Sequence, residues 1–266
     1  MSAETDTGAA PAYENLPPRL GLLDPADLDE PQRAVYDAIT GGPRASQAGT
    51  VPITDDAGRL LGPFAVMLLT PEVGNAMQQV GAKIRFAAAL TARERELAIL
   101  TVAGHLRSDF ERLAHEPAAR AAGLTQAQVN AALTGRVPDG LTDSEALVGR
   151  LARVMTAERT LPDEDYDAGL AGLGRERLAD LTWLVGYYSA LALSLAVFRP
   201  FLPESFAPAP ASDKSTGDPL TLGLSHVSGP RFLARHKAWR RLCQVQVVSG
   251  KASATAAVRL VTPSLV

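Results

Sequence analysis

An all-α architecture is spelled out by three features of this chain. Apolar residues recur at helical spacing up to Pro203, and no stretch of strict alternation interrupts them. Three boxes of the form Thr-x-x-Glu/Gln occur: Thr91 with Glu94, Thr125 with Gln128, and Thr142 with Glu145. Each can satisfy two orphan backbone donors at a helix start. Ala, Leu, Arg and Gly dominate while aromatics make up only 5%, a composition that favours closely packed helices over a sheet.

The elements follow in order. Residues 1–18 are polar and rich in Pro and Ala, a flexible lead-in. Asp29, Glu30 and Pro31 start a helix with Val35, Tyr36 and Ile39 on one face, ended by Gly41-Gly42. A loop rich in Gly, Pro, Asp and Thr then passes Gln47 and Asp55-Asp56; its length suits a functional cover over a pocket. Gly62-Pro63-Phe64 opens a short apolar helix or turn, and Thr70-Pro71 starts another. There Val73, Met77, Val80 and Ile84 form a stripe expected to face the core.

The stretch over 91–123, TARERELAILTVAGHLRSDFERLAHEPAARAAG, organises the rest. It holds two helices in tandem, and Gly123 can supply the left-handed residue that stops the second. Pro117 is expected to kink or break that helix just after His115. A short helix ending at Gly135 follows, then one begun by Thr142, one over 162–173, and a long apolar one over 175–198. The helical domain is thus expected over 19–203, with a Pro/Ala/Ser/Asp-rich linker over 204–219. A poorly ordered basic extension completes the chain over 220–266.

Of the 266 residues, 46% are hydrophobic and 21% charged, ordinary for a soluble globular protein. The net charge of −3 conceals an asymmetry: the last 48 residues hold seven Lys or Arg and no acid. Basic residues with one Trp can meet nucleic acid or acidic lipid. A solvated extension is the plainer expectation, with no nucleic-acid partner. The single cysteine, Cys243, allows no intrachain disulfide and suits a reducing cytosol. With no apolar leader in the first twenty residues, a cytoplasmic location is expected. Residues 181–198 carry no charge, the lower limit for a bilayer span. Thr182, Tyr187, Tyr188, Ser189 and Ser194 interrupt them, so a buried core or interface helix is expected and no membrane.

On the second helix of the tandem, Ser108, Glu111 and His115 stand at i, i+3 and i+7, on one stripe. A carboxylate one turn before an imidazole makes a proton-handling pair, since each shifts the other's pKa. The plain alternative is a solvent-facing pair worth about 0.2–0.5 kcal/mol. His105 lies four residues before Asp109, but the spacing of His105, Asp109, Glu111 and His115 matches no metal-ligand signature, and no metal is expected.

Glu96 in RELAIL, followed by Ser108, Glu111 and His115, resembles the carboxymuconolactone decarboxylase / alkylhydroperoxidase D superfamily. GPFAVMLLTPEV near Gly62 and LVGYYSALALSLAVF near Val185 fit the same pattern. The peroxidase branch of that family has a Glu, a Cys-x-x-Cys and a His four residues later. Its Glu falls on Glu96, its cysteines on Ser108 and Glu111, and its His on His115. This chain is therefore similar to the cysteine-free branch. Neither Ser nor Glu can form a sulfenate or be resolved by a second thiol, so the thiol peroxidase cycle is closed to this motif.

The resemblance implies an AhpD-like helical fold, a homo-oligomer (trimer or hexamer), and acid/base work on a small lactone-like or oxygenated acid without a cofactor. It implies catalytic roles for His115, Glu111, Glu96 and Ser108: His115 delivers the proton, Glu111 tunes it, Glu96 is a second acid/base or hydrogen-bond partner, and Ser108 donates to an oxyanion. Tyr187, Tyr188 and His105 are the expected substrate contacts. The alternative is a non-catalytic helical protein that kept the fold as a ligand-binding or assembly partner.

Overall fold

The computed structural model describes residues 16–42 and 52–202. They form eight helices: α1 (Glu30–Thr40), α2 (Pro63–Met67), α3 (Pro71–Phe86), α4 (Ala92–Leu106), α5 (Asp109–Ala121), α6 (Gln126–Leu133), α7 (Asp143–Glu158) and α8 (Asp163–Phe198). Among the described residues there is no strand. Two isolated bridges occur, one of which joins Leu20 to Pro200 beyond the end of α8. The lead-in over 1–15, Gln47 in its loop, the linker over 204–219 and the basic extension with Cys243 lie outside the described residues.

The helix starts are where the threonine boxes put them. Thr91, Thr125 and Thr142 each accept from the backbone three residues on, and Glu94, Gln128 and Glu145 reach back to the cap. A fourth box, Asp29 with Gln32, starts α1. At the other end of α5, Gly123 takes φ 92°. Leu124 N donates to Ala119 O and Gly123 N to Arg120 O, the paired bonds of a Schellman stop.

Helix α4 is the axis of the domain. Its residues from Glu96 through Ala103 are all buried, and it packs against α5, α6, α7 and α8. Ala98, Ile99 and Val102 join Val148, Leu151 and Ala152 of α7 and Leu181 and Leu184 of α8 in the main core. Leu97 and Leu100 instead meet Ala119, Leu124, Val129 and Ala132. A helix enclosed on every side needs no amphipathic stripe, and truncating Ile99 or Leu100 to Ala should cost about 2–5 kcal/mol.

Two expectations fail. The α3 stripe does not face the core as a whole: Val73 is 62% exposed and Val80 45%. The inward face is Gly74, Gln78, Gly81 and Ile84. Small residues win there because α2 and α3 touch backbone to backbone; a Cβ on Gly74 would lie 2.0 Å from the Met67 carbonyl oxygen. Nor does Pro117 break α5, which runs through it to Ala121. Pro117 lies on the exposed face, where solvent can take up the carbonyl its missing N–H leaves.

The last two expected helices are one element with a break. Within α8, Gly174 leaves the helical region (φ 76°, ψ 170°), separating arms over 163–173 and 175–198. By length and composition α8 could cross a membrane, and 44% of its apolar window is buried in the domain. Leu181, Leu184, Tyr187, Tyr188 and Leu191 face inward, whereas Trp183 is 69% exposed and Leu193 66%.

Candidate active site

The α4–α5 hairpin brings the motif together. Arg107 takes a left-handed conformation (φ 54°, ψ 43°) at the end of α4, and Ser108 returns to extended backbone before α5 begins. So short a connection folds α5 back along α4, and Glu96 meets His115 although they are 19 residues apart.

His115 sits between two carboxyl groups. Its Nδ1 lies 2.7 Å from Glu96 Oε2, and its Nε2 lies 3.5 Å from Glu111 Oε2. All three residues are buried. The two carboxyls differ in environment. Burial works to raise the pKa of Glu96, but the charge and hydrogen bond of His115, with Arg85 and Arg95 nearby, hold it below the usual range. Arg95 Nε stands 3.6 Å and Arg85 Nη1 3.7 Å from Glu96 Oε1. A carboxylate can only accept, so Nδ1 carries the proton and donates it to Glu96. Burial instead pushes Glu111 up to about 7, against the pull of His115 and Arg85. Glu111 Oε1 is buried without a hydrogen-bond partner.

A cavity of about 80 Å³ opens beside this group, with Arg85, Glu111, His115, Tyr187 and Tyr188 in its wall. Ile53, Phe64, Phe110 and Leu191 supply apolar surface. Gly62 (φ 56°, ψ −134°) shapes one side: a Cβ there would lie 2.1 Å from the Phe110 ring, so only glycine lets that ring lie over the start of α2. Tyr188 meets His115 edge-on at 5.1 Å between ring centroids. Burial first, then the charges of Glu111 and Glu96, push its phenol well above the ordinary value, so it stays a neutral donor. Of the expected covering loop, Pro52 and Ile53 reach the cavity, while Asp55 is paired with Arg59.

The expected residues therefore divide. Glu111, His115, Tyr187 and Tyr188 border the cavity; Glu96 stands behind His115. Ser108 is buried at the N-cap of α5, its hydroxyl has no hydrogen-bond partner, and it does not border the cavity. His105 is exposed near the end of α4 and absent from the wall, because its side chain leaves the helix on the solvent side. Arg85, Arg95 and Phe64 escaped the sequence reading, whereas Phe110 was legible there as an apolar neighbour of the motif stripe. For Arg85 a signal existed: Gly74, Gln78, Gly81 and Arg85 recur at helical spacing as a small-and-polar stripe. Among the described residues, no group of three or more His, Cys, Asp or Glu is placed to hold a metal ion.

A buried imidazole is thus held by one carboxylate and faces a second, protonatable one beside a largely apolar pocket on a helical scaffold. Residues 71–153 match the model of the carboxymuconolactone decarboxylase family. The matched segment holds Arg85, Glu96, Glu111 and His115, whereas Ile53, Phe64, Tyr187 and Tyr188 lie outside it. No curated protein matches the chain as a relative.

Proposed function

We propose that this protein is a cofactor-independent decarboxylase, or a related proton-transfer enzyme, acting on a small lactone-like or oxygenated organic acid. The observation that carries the reading is the division of labour around His115. Glu96 fixes the proton on Nδ1, which leaves Nε2 as the working atom, and the Glu111 carboxyl, pushed up to about 7, stands 3.5 Å from it as the proton reservoir. In decarboxylation the bond to the departing carboxylate breaks and its electron pair moves through the unsaturation onto a carbonyl oxygen. CO₂ leaves, and the carbon of the resulting dienolate takes a proton from His115, which Glu111 then restores. The apolar wall keeps bulk water from competing for that carbon.

The reading extends to a homo-oligomer in the cytoplasm, trimer or hexamer. Exposed Val73 and Val80 on α3 and Trp183 and Leu193 on α8 support an assembly. The test is a panel of small carboxylated butenolides incubated in D₂O, with CO₂ release and deuterium at the product carbon as readouts. We expect turnover with one deuterium retained, and a fall of about 10² to 10⁴-fold in H115A at an unchanged melting temperature. Undiminished turnover in H115A would remove the imidazole from the reaction. Ligand binding without turnover of any panel member would favour a binding protein of the same fold.

A further inference from the structure

The cavity wall is chemically lopsided. Arg85 is its sole Lys or Arg among the described lining residues, and Glu111 is its sole Asp or Glu. Arg85 is paired with Glu96, Nη1 to Oε1, at 3.7 Å. Arg95 approaches the same carboxylate oxygen to 3.6 Å but has no place in the wall. Two guanidiniums thus flank one carboxylate, and of the two residues only Arg85 lines the cavity. Glu111, its carboxyl pushed up to about 7, offsets that charge only in part at neutral pH, and its Oε1 has no hydrogen-bond partner. Around this polar end the wall is apolar, a low-dielectric setting in which one fixed cation acts strongly on an anion.

We infer that Arg85 is the specificity-determining residue of the site: it selects substrates carrying an anionic oxygen group and orients them so that a second oxygen or carbon faces Glu111 and His115. The inference rests on the proposed reading that the cavity takes a small oxygenated acid, and it adds the residue that reads the charge. Arg95 serves as an internal control, with the same charge and the same partner but no access to the pocket.

The experiment compares binding of 2-furoate with that of its neutral isostere 2-furamide by calorimetry at neutral pH. In the unmodified protein the acid should bind about 10- to 100-fold more tightly than the amide. R85Q should bring that ratio close to one, R85K should retain part of it, and R95Q should keep it. Melting curves identify any variant that fails to fold, and the unmodified protein alone already tests the preference. Equal affinity for acid and amide, or binding of neither, overturns the inference. So does an acid preference that survives in folded R85Q. Because binding is read without turnover, an Arg85-dependent preference in a protein that turns nothing over would sink the proposed reaction and leave this inference standing.

Discussion

Glu94 and Glu96 lie two residues apart on α4, both only 2% exposed, yet they serve opposite ends of the domain's chemistry. Glu94 faces α7 and α8. It accepts from Ser144 Oγ at 2.7 Å, from the Arg177 guanidinium, and from the backbone N–H of its own cap partner Thr91. Next to it Arg93 reaches Glu145 at 2.6 Å and the Gly123 carbonyl. Every oxygen is committed, and the cluster locks the starts of α4 and α7 to α8. Burial works to raise the pKa of Glu94, but the bonds from Ser144, Arg177 and Thr91 hold it low. Glu96 faces α5 and reaches no ligand space itself. Its partner His115 does, through the opposite edge of the ring. A buried carboxylate alone therefore says little about function. What separates the two regions is whether the partner has a second face left for a ligand.

The sharpest way to break this comparison is E96Q. The amide can donate to Nδ1, which lets the proton move to the other nitrogen and spoils the working atom. We expect turnover to fall by about 10² to 10⁴-fold with little change in folding. Activity close to the unmodified protein would equate Glu96 with Glu94.

Glu111 sharpens the comparison through pH. Its carboxyl is raised from 4.5 to about 7 in the folded protein, so the native state holds a proton that the unfolded chain has released across that window. Stability supplied by that bound proton is therefore lost as pH rises toward about 7 and does not change further above it. E111Q has no such proton to lose. Relative to the unmodified protein it should gain stability over the same window, on the order of 3 kcal/mol. Urea midpoints at a series of pH values read this directly, and parallel curves would refute a buried, proton-holding Glu111.

E94A should show the reverse signature of E96Q. Removing an acceptor from Ser144, Arg177 and the α4 cap should cost about 1.5–3 kcal/mol of stability, seen as a lower melting temperature, with kcat retained below the melt. A loss of kcat in the folded variant would mean that the lock and the site are coupled.

How much of this the sequence revealed depends on the range of the forces involved. Helix starts were legible because a capping box is local: Thr91, Thr125 and Thr142 each carry their partner three residues on. The Asp29–Gln32 box has the same logic with less familiar residues, and it was missed. The motif pair His115 and Glu111 was visible in its i, i+4 spacing, and Glu96 entered through the family pattern. The partition of roles was not visible, because it depends on which carboxylate meets which ring nitrogen across two helices. The α3 stripe misled for a related reason. Apolar periodicity finds a face that avoids water, but α3 turns small residues toward α2 and Arg85 toward the pocket, leaving Val73 and Val80 outside. His105 shares a helix with Glu96, yet its position around that helix sends it to solvent.

The account stands on the proton at His115 Nδ1. Nitrogen-15 NMR of the imidazole, followed through the titration of Glu111 near pH 7, reads each ring nitrogen separately. The account predicts that Nδ1 stays protonated throughout that titration, and that E96Q abolishes this preference for Nδ1. A ring that carries its proton on Nε2 and leaves Nδ1 bare beside Glu96 would contradict it.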